Sequence, residues 1–149
     1  ITINAISPDR RTAHILWWNF ILPNQRMKFV DYPSLTNERE LGPPGAGGAS
    51  WSQNGEEIAF GYRADSTKIG GDIFIMKKDG TNIRRVTYQQ PLFSIGDIHW
   101  SPDGSKLVFI ADRLSGETPR SYLYMVNVDG TDFHRVLDDP TVYPCDWSK

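Results

Sequence analysis

The stretch Trp100-Ser101-Pro102-Asp103-Gly104-Ser105-Lys106-Leu107-Val108-Phe109-Ile110-Ala111 decides how this chain is organised. Its opening recurs as Trp51-Ser52-Gln53-Asn54-Gly55. Downstream, Asp129-Gly130-Thr131-Asp132-Phe133-His134-Arg135-Val136 recurs as Asp79-Gly80-Thr81-Asn82-Ile83-Arg84-Arg85-Val86. Both pairs are displaced by roughly fifty residues, so two independent motifs keep one register, the mark of a structural repeat. Partial copies bracket them: Ile6-Ser7-Pro8-Asp9 lies upstream, and Asp146-Trp147-Ser148 reopens the unit downstream. The chain therefore reads as three units, about 1–45, 46–90 and 91–140, followed by the start of a fourth at 141–149.

Within a unit the apolar residues alternate with a period of two. Leu107, Phe109 and Ala111 share one face of a strand, and Val108 and Ile110 share the other. Tyr122–Val128, Ile58–Phe60 and Ile73–Met76 are also apolar on both faces, as sheets stacked between neighbours require. Pro102 suits the second position of a type I turn and Gly104 a positive φ, so Ser101–Gly104 joins two antiparallel strands. Asp79-Gly80 and Asp129-Gly130 give the hairpin signal between the third and fourth strands. The spacing predicts strands at Gly96–Ser101, Lys106–Asp112, Ser121–Asn127 and Phe133–Leu137 in the third unit. In the second they fall at Ala49–Ser52, Glu57–Arg63, Gly71–Lys77 and Ile83–Thr87. The first unit is less regular, with strands at Thr2–Ser7, Thr12–Trp18, Arg26–Asp31 and Glu38–Leu41. No glycine there matches Gly104, and a short helix at Leu35–Leu41 capped by Thr36 competes with the last strand.

The string from Trp100 to Arg113, followed by Tyr122 to Val136, resembles the repeat of the TolB-like six-bladed β-propellers, whose unit runs from a WSPDG turn to a DG turn. The match is specific at 100–137, good at 51–87 and weak at 6–41, and it spans most of the chain. It implies an all-β fold of three four-stranded antiparallel blades plus the start of a fourth, part of a six-bladed propeller. It also implies a periplasmic or extracellular protein-interaction platform. Similar blades occur as accessory domains of serine peptidases and as the scaffold of oligogalacturonate lyases. Propellers close with about 4–8 blades, so three leave exposed edges. Either the propeller is longer, as the strand opening at Trp147 favours, or a homodimer completes a six-bladed ring.

Sixteen basic against eighteen acidic residues give a net charge of −2 without any basic run, so nucleic acid is not an expected partner. The longest apolar run, Ile15–Trp18, is broken by Asn19 far short of the roughly 20 residues that cross a bilayer, and no membrane insertion is expected. Cys145 is the single cysteine, so it forms no intramolecular disulfide and leaves the compartment open. The chain opens on Ile1 with no leader pattern, so no signal peptide is visible and the start is not read as a native translation start.

Catalytic constellations are thin. His14, His99 and His134 fall in three different units at no metal-ligand spacing, and the sequence contains no Gly-x-Ser-x-Gly elbow, no P-loop and no dinucleotide-binding glycine pattern. Asp97 and His99 make an Asp-x-His pair beside the innermost strand, read as simple hydrogen bonding rather than acid–base chemistry. No catalytic residue, metal or cofactor is expected. Alternating strand directions put the tight turns on one face and the long connections on the other, which makes the loop-rich face the binding candidate. Its expected partner-binding residues are Arg63, Asp65, Gln89, Phe93, Arg113 and Arg120. Arg63 and Arg113 each end a second strand, where a guanidinium can hold a carboxylate, although pairing with Asp65 or Asp112 is the simpler reading. Trp51, Trp100 and Trp147 recur at one position, as packing between sheets demands, and Trp17 and Trp18 read as core. The sequence thus describes a non-catalytic scaffold that binds a protein or peptide. The alternative is the propeller part of a carbohydrate-active lyase or serine peptidase whose catalytic groups lie elsewhere.

Overall fold

The computed structural model describes residues 2–16, 26–65, 70–88, 95–115 and 118–136. These form three four-stranded antiparallel sheets, each in sequence order. The first blade contains β1 (Thr2–Ile6), β2 (Thr12–Leu16), β3 (Met27–Asp31) and β4 (Thr36–Leu41). The second contains β5 (Gly47–Trp51), β6 (Glu57–Tyr62), β7 (Asp72–Lys77) and β8 (Arg84–Arg85). The third contains β9 (Ile95–Trp100), β10 (Lys106–Ser115), β11 (Thr118–Asn127) and β12 (His134–Arg135). The competing helix at 35–41 is absent: Thr36–Leu41 pairs with Met27–Asp31 as a strand. Residues 113–115 and 118–120, which fall between the strands predicted at Lys106–Asp112 and Ser121–Asn127, instead continue that pairing, with Arg113 opposite Arg120 and Ser115 opposite Thr118. Strand pairing continues there because backbone groups that leave the sheet need new partners, and the ladder supplies them.

One hydrogen-bonded turn is built three times. Ser101 Oγ donates to Asp103 Oδ1 at 2.6 Å and accepts from Lys106 N at 2.9 Å, while Ser105 N donates to Asp103 Oδ1 at 3.0 Å. Ser52 with Asn54, and Ser7 with Asp9, repeat this arrangement at 2.8 and 2.6 Å. The fourth residue sits in the left-handed region each time: Gly104 and Gly55 at φ 72, and Arg10 at φ 56. The first blade therefore keeps the turn although its sequence lacks the glycine. The second kind of turn behaves alike, with Leu35 at φ 55 where Gly80 and Gly130 have 85 and 87. Lys78 N donates to Glu56 O, and Val128 N to Ser105 O, each at 3.0 Å, so both turns of a blade lie at one end.

The apolar alternation assigns each side chain to one of two sheet interfaces. Met27 and Phe29 of the first blade pack with Ile58, Phe60, Phe74 and Met76 of the second. The alternate residues of those same strands, Ala59, Ile73 and Ile75, turn the other way and pack with Trp100, Leu107, Phe109, Tyr124 and Val126 of the third. Trp100 is buried and its Nε1 donates to Ser50 O across the interface at 3.1 Å, as its repeat position predicted. Trp51 is half-buried and meets Phe29 edge to face at 6.0 Å. Trp17, Trp18 and Trp147 lie outside the described residues. Burying one large apolar side chain contributes about 1.5–3 kcal/mol. An exposed ion pair such as Lys78–Glu56 contributes about 0.2–1 kcal/mol, so sheet stacking dominates the fold.

Candidate functional site

The loop-side rim of the second blade grows out of the ends of β6, β7 and β8. Tyr62 pairs with Asp72, so the chain leaves the sheet at Arg63, and both Arg63 and Asp65 are exposed. Asp72 accepts from Arg85 Nη2 at 2.6 Å and from Thr87 Oγ1 at 3.0 Å. The Thr87 hydroxyl in turn accepts from Ile73 N at 2.9 Å, and Arg85 Nε donates to Thr87 O at 2.8 Å. This network fixes the Arg85 guanidinium, which lies 4.7 Å from the centroid of the Tyr88 ring. Tyr88 is 68% exposed, the most exposed large apolar side chain among the described residues. Exposed cation–π contacts are worth about 0.5–1 kcal/mol, enough to bias the ring toward one orientation.

Of the six residues expected from sequence, the structure brings Arg63 and Asp65 to this rim. The backbones of Arg113 and Arg120 face each other in the β10–β11 hairpin, while their side chains lie outside the described residues. Gln89 and Phe93 lie outside them too. Asp112, considered as a partner for Arg113, accepts from Ser121 Oγ at 2.5 Å. Sequence reasoning missed Asp72, Arg85 and Thr87. Their signal was available in the Arg84-Arg85 ending of the repeat, where an arginine recurs as Arg135 and stacks at 4.7 Å on Tyr122.

A second concavity lies where β1, β5 and β9, the first strands of their sheets, converge. It encloses about 430 Å³ and is lined by Asn4, Ser50, Trp51, Gln53, Asp97 and His99 among others. Asp97 is exposed with φ 47, and His99 is half-buried. The sequence pair Asp97-x-His99 therefore lines a cleft, where among the described residues neither joins a group of three or more His, Cys, Asp or Glu able to hold a metal. Asn4 Nδ2 donates to His14 Nδ1 at 3.1 Å and to Ala49 O at 3.3 Å, joining two blades behind the cleft wall. Burial pushes the His14 imidazole down to about 4, so it is neutral at physiological pH.

No group of three or more His, Cys, Asp or Glu gathers among the described residues. Asp79 and Asp129 instead serve their own turns: each accepts from the backbone N and Oγ1 of the threonine two residues on. Those bonds hold both carboxyls below the usual carboxylate range. No helix among the described residues is long and apolar enough to cross a membrane.

No family model matches the chain. A protein assigned as a dipeptidyl aminopeptidase in Schizosaccharomyces pombe is 25% identical over 122 residues, covering 71% of this chain and 14% of that protein. Among solved structures, one described as TolB from Agrobacterium tumefaciens matches with a TM-score of 0.67 at 20% identity over 89% of this chain and 47% of its own. TolB from Acinetobacter baumannii gives 0.62 at 14% identity over 90% of this chain and 29% of its own. Hydrazine synthase from Kuenenia stuttgartiensis gives 0.64 at 16% identity over 93% and 42%. The chain spans less than half the length of each of these proteins. Such structural likeness at low identity, together with three stacked four-stranded meanders, shows a TolB-like propeller fold.

Proposed function

We propose that this chain is the blade portion of a non-catalytic scaffold that binds a protein or peptide on its loop-side rim, outside the cytoplasm. The observation that carries the reading is Tyr88: an aromatic ring left exposed at the rim, held by an arginine that Asp72 and Thr87 fix in turn. Aromatic and arginine side chains supply most binding hot spots, and a ring ordered before binding loses less entropy on contact. Arg63 and Asp65 flank it with charge, and Gln89, Phe93, Arg113 and Arg120 are the further contacts that the sequence reading assigns to the partner. The blades that complete the ring come from further chain or from a second copy, which the mass in solution distinguishes.

A photo-crosslinking residue placed at Tyr88 in the full-length protein should yield discrete adducts in cells, whereas the same residue at Thr81, on the turn side, should not. With the partner in hand, Tyr88→Ala should weaken binding by about 1–2 kcal/mol, on the order of tenfold. Adducts at Thr81 alone would remove this rim from consideration.

The similarity to the Schizosaccharomyces pombe protein favours one second reading, in which the blades belong to a peptidase whose catalytic groups lie in other chain. Hydrolysis of fluorogenic dipeptide amides by the full-length protein, unaffected by Tyr88→Ala, would support it over the scaffold.

A further inference from the structure

The three copies of the Ser-centred turn differ at one chemically important place. The first and third use Asp9 and Asp103, and the second uses Asn54 followed by Gly55. Asn54 is the one asparagine in the chain that precedes a glycine. Glycine adopts the φ of 72 there at no steric cost, and it leaves no side chain to shield the Asn54 carboxamide from the next backbone nitrogen. We infer that Asn54-Gly55 is a deamidation site that the native turn holds closed and that unfolding opens.

The chemistry is intramolecular. The Gly55 nitrogen attacks Asn54 Cγ, a C–N bond forms, and ammonia leaves to give a succinimide. Water then opens either carbonyl, producing aspartate or isoaspartate. No oxidant or cofactor takes part, and one water replaces one ammonia. The native turn blocks the first step twice. Gly55 N–H donates to Ser52 O at 2.9 Å, so the attacking nitrogen is engaged. Asn54 Oδ1 is held by Ser52 Oγ at 2.8 Å and by Glu56 N at 3.1 Å, so the carboxamide must break both bonds before it can turn freely toward Gly55 N.

The two products differ in fate. Aspartate at position 54 reproduces the sister turns, whose carboxylates accept the same serine hydroxyl and backbone N–H at 2.6 and 3.0 Å. Charged acceptors make the stronger bonds. Isoaspartate inserts a methylene into the main chain inside a bond that spans Ser52 to Gly55, so that turn cannot close in its present form.

Peptide mapping by mass spectrometry of the full-length protein, incubated in mildly alkaline buffer with and without denaturing urea, tests the inference. Conversion should occur first at Asn54 in urea and run at least about tenfold slower in the native protein, equivalent to a local opening cost of about 1.4 kcal/mol. Ser52→Ala, which removes one of the two bonds on the carboxamide, should narrow that gap without changing the rate in urea. Asn54→Asp should refold with a urea midpoint equal to or above that of the wild type. Equal rates in native and denaturing conditions, or conversion elsewhere first, would overturn the closed-turn assignment. A lowered midpoint for Asn54→Asp would overturn the equivalence of the three turns.

Discussion

His14 shows how one residue ties sheet packing to solution behaviour. It is fully buried beside Phe29, with ring centroids 5.1 Å apart, and burial is the cause that lowers its pKa to about 4. Asn4 offers amide hydrogens to both Nδ1 and Ala49 O, so Nδ1 accepts and the neutral ring carries its proton on Nε2. An imidazole in the unfolded chain titrates near 6.5, so between those two values the unfolded state binds a proton that the folded state refuses. Stability is therefore unaffected by His14 above pH 6.5, declines as pH falls, and levels off below about 4. The difference of roughly 2.5 units corresponds to about 3 kcal/mol as an order of magnitude. Urea midpoints measured from neutral to acid pH should show this decline, and His14→Gln should lose that part of it. A His14→Gln profile parallel to the wild type would mean that carboxylates alone govern acid unfolding.

At the scale of turns and strands, the repeat was legible wherever local chemistry and backbone shape coincide, and obscure where they part. Gly104 and Gly130 announce their turns because glycine accepts a positive φ at no steric cost. Arg10 and Leu35 conceal the same backbone, since nothing in either residue type signals the left-handed region; each is held there by the bond that closes its turn, Arg10 N to Ser7 O and Leu35 N to Asp31 O. The extension of β10 and β11 past 112 was hidden for a similar reason, because polar residues in a hairpin read as loop. Burial by Trp100 was readable from its recurrence. The cleft was not, because its residues come from three strands far apart in sequence and look like ordinary strand polars. The turns also make a graded prediction. A Cβ on Gly104 meets nothing within 4 Å, so Gly104→Ala should cost only the left-handed strain, about 1–2 kcal/mol. On Gly130 a Cβ would stand 2.6 Å from Val86 O of the second blade, so Gly130→Ala should cost more. Leu35→Gly should move the other way, gaining up to about 1 kcal/mol as strain is relieved against the added chain entropy of glycine. Thermal or urea unfolding of the three variants checks the order, and equal losses at Gly104 and Gly130 would contradict the interface contact.

For the whole molecule, the second blade is where the two described interfaces meet. Its even and odd strand residues serve different neighbours: Ile58 and Phe60 face the first blade, and Ala59 with Ile73 and Ile75 faces the third. In stacked repeats, stability is close to a sum of unit terms and nearest-neighbour terms, so damage at one interface should spread by one unit and fade. Phe29 and Phe109 sit in opposite interfaces and are both fully buried, and truncating such a ring costs about 3–5 kcal/mol. Native-state hydrogen exchange on Phe29→Ala should show lost protection in β2, β3, β6 and β7, with β10 and β11 retaining most of theirs. Phe109→Ala should expose β6, β7, β10 and β11 and leave β2 and β3 comparatively protected. The amides of β6 and β7 should respond to both substitutions, because that sheet contributes to each core. Uniform loss across all three sheets in both variants would instead mean that the blades unfold as one cooperative unit, and that the stacking energy is large enough to erase the boundary between neighbours.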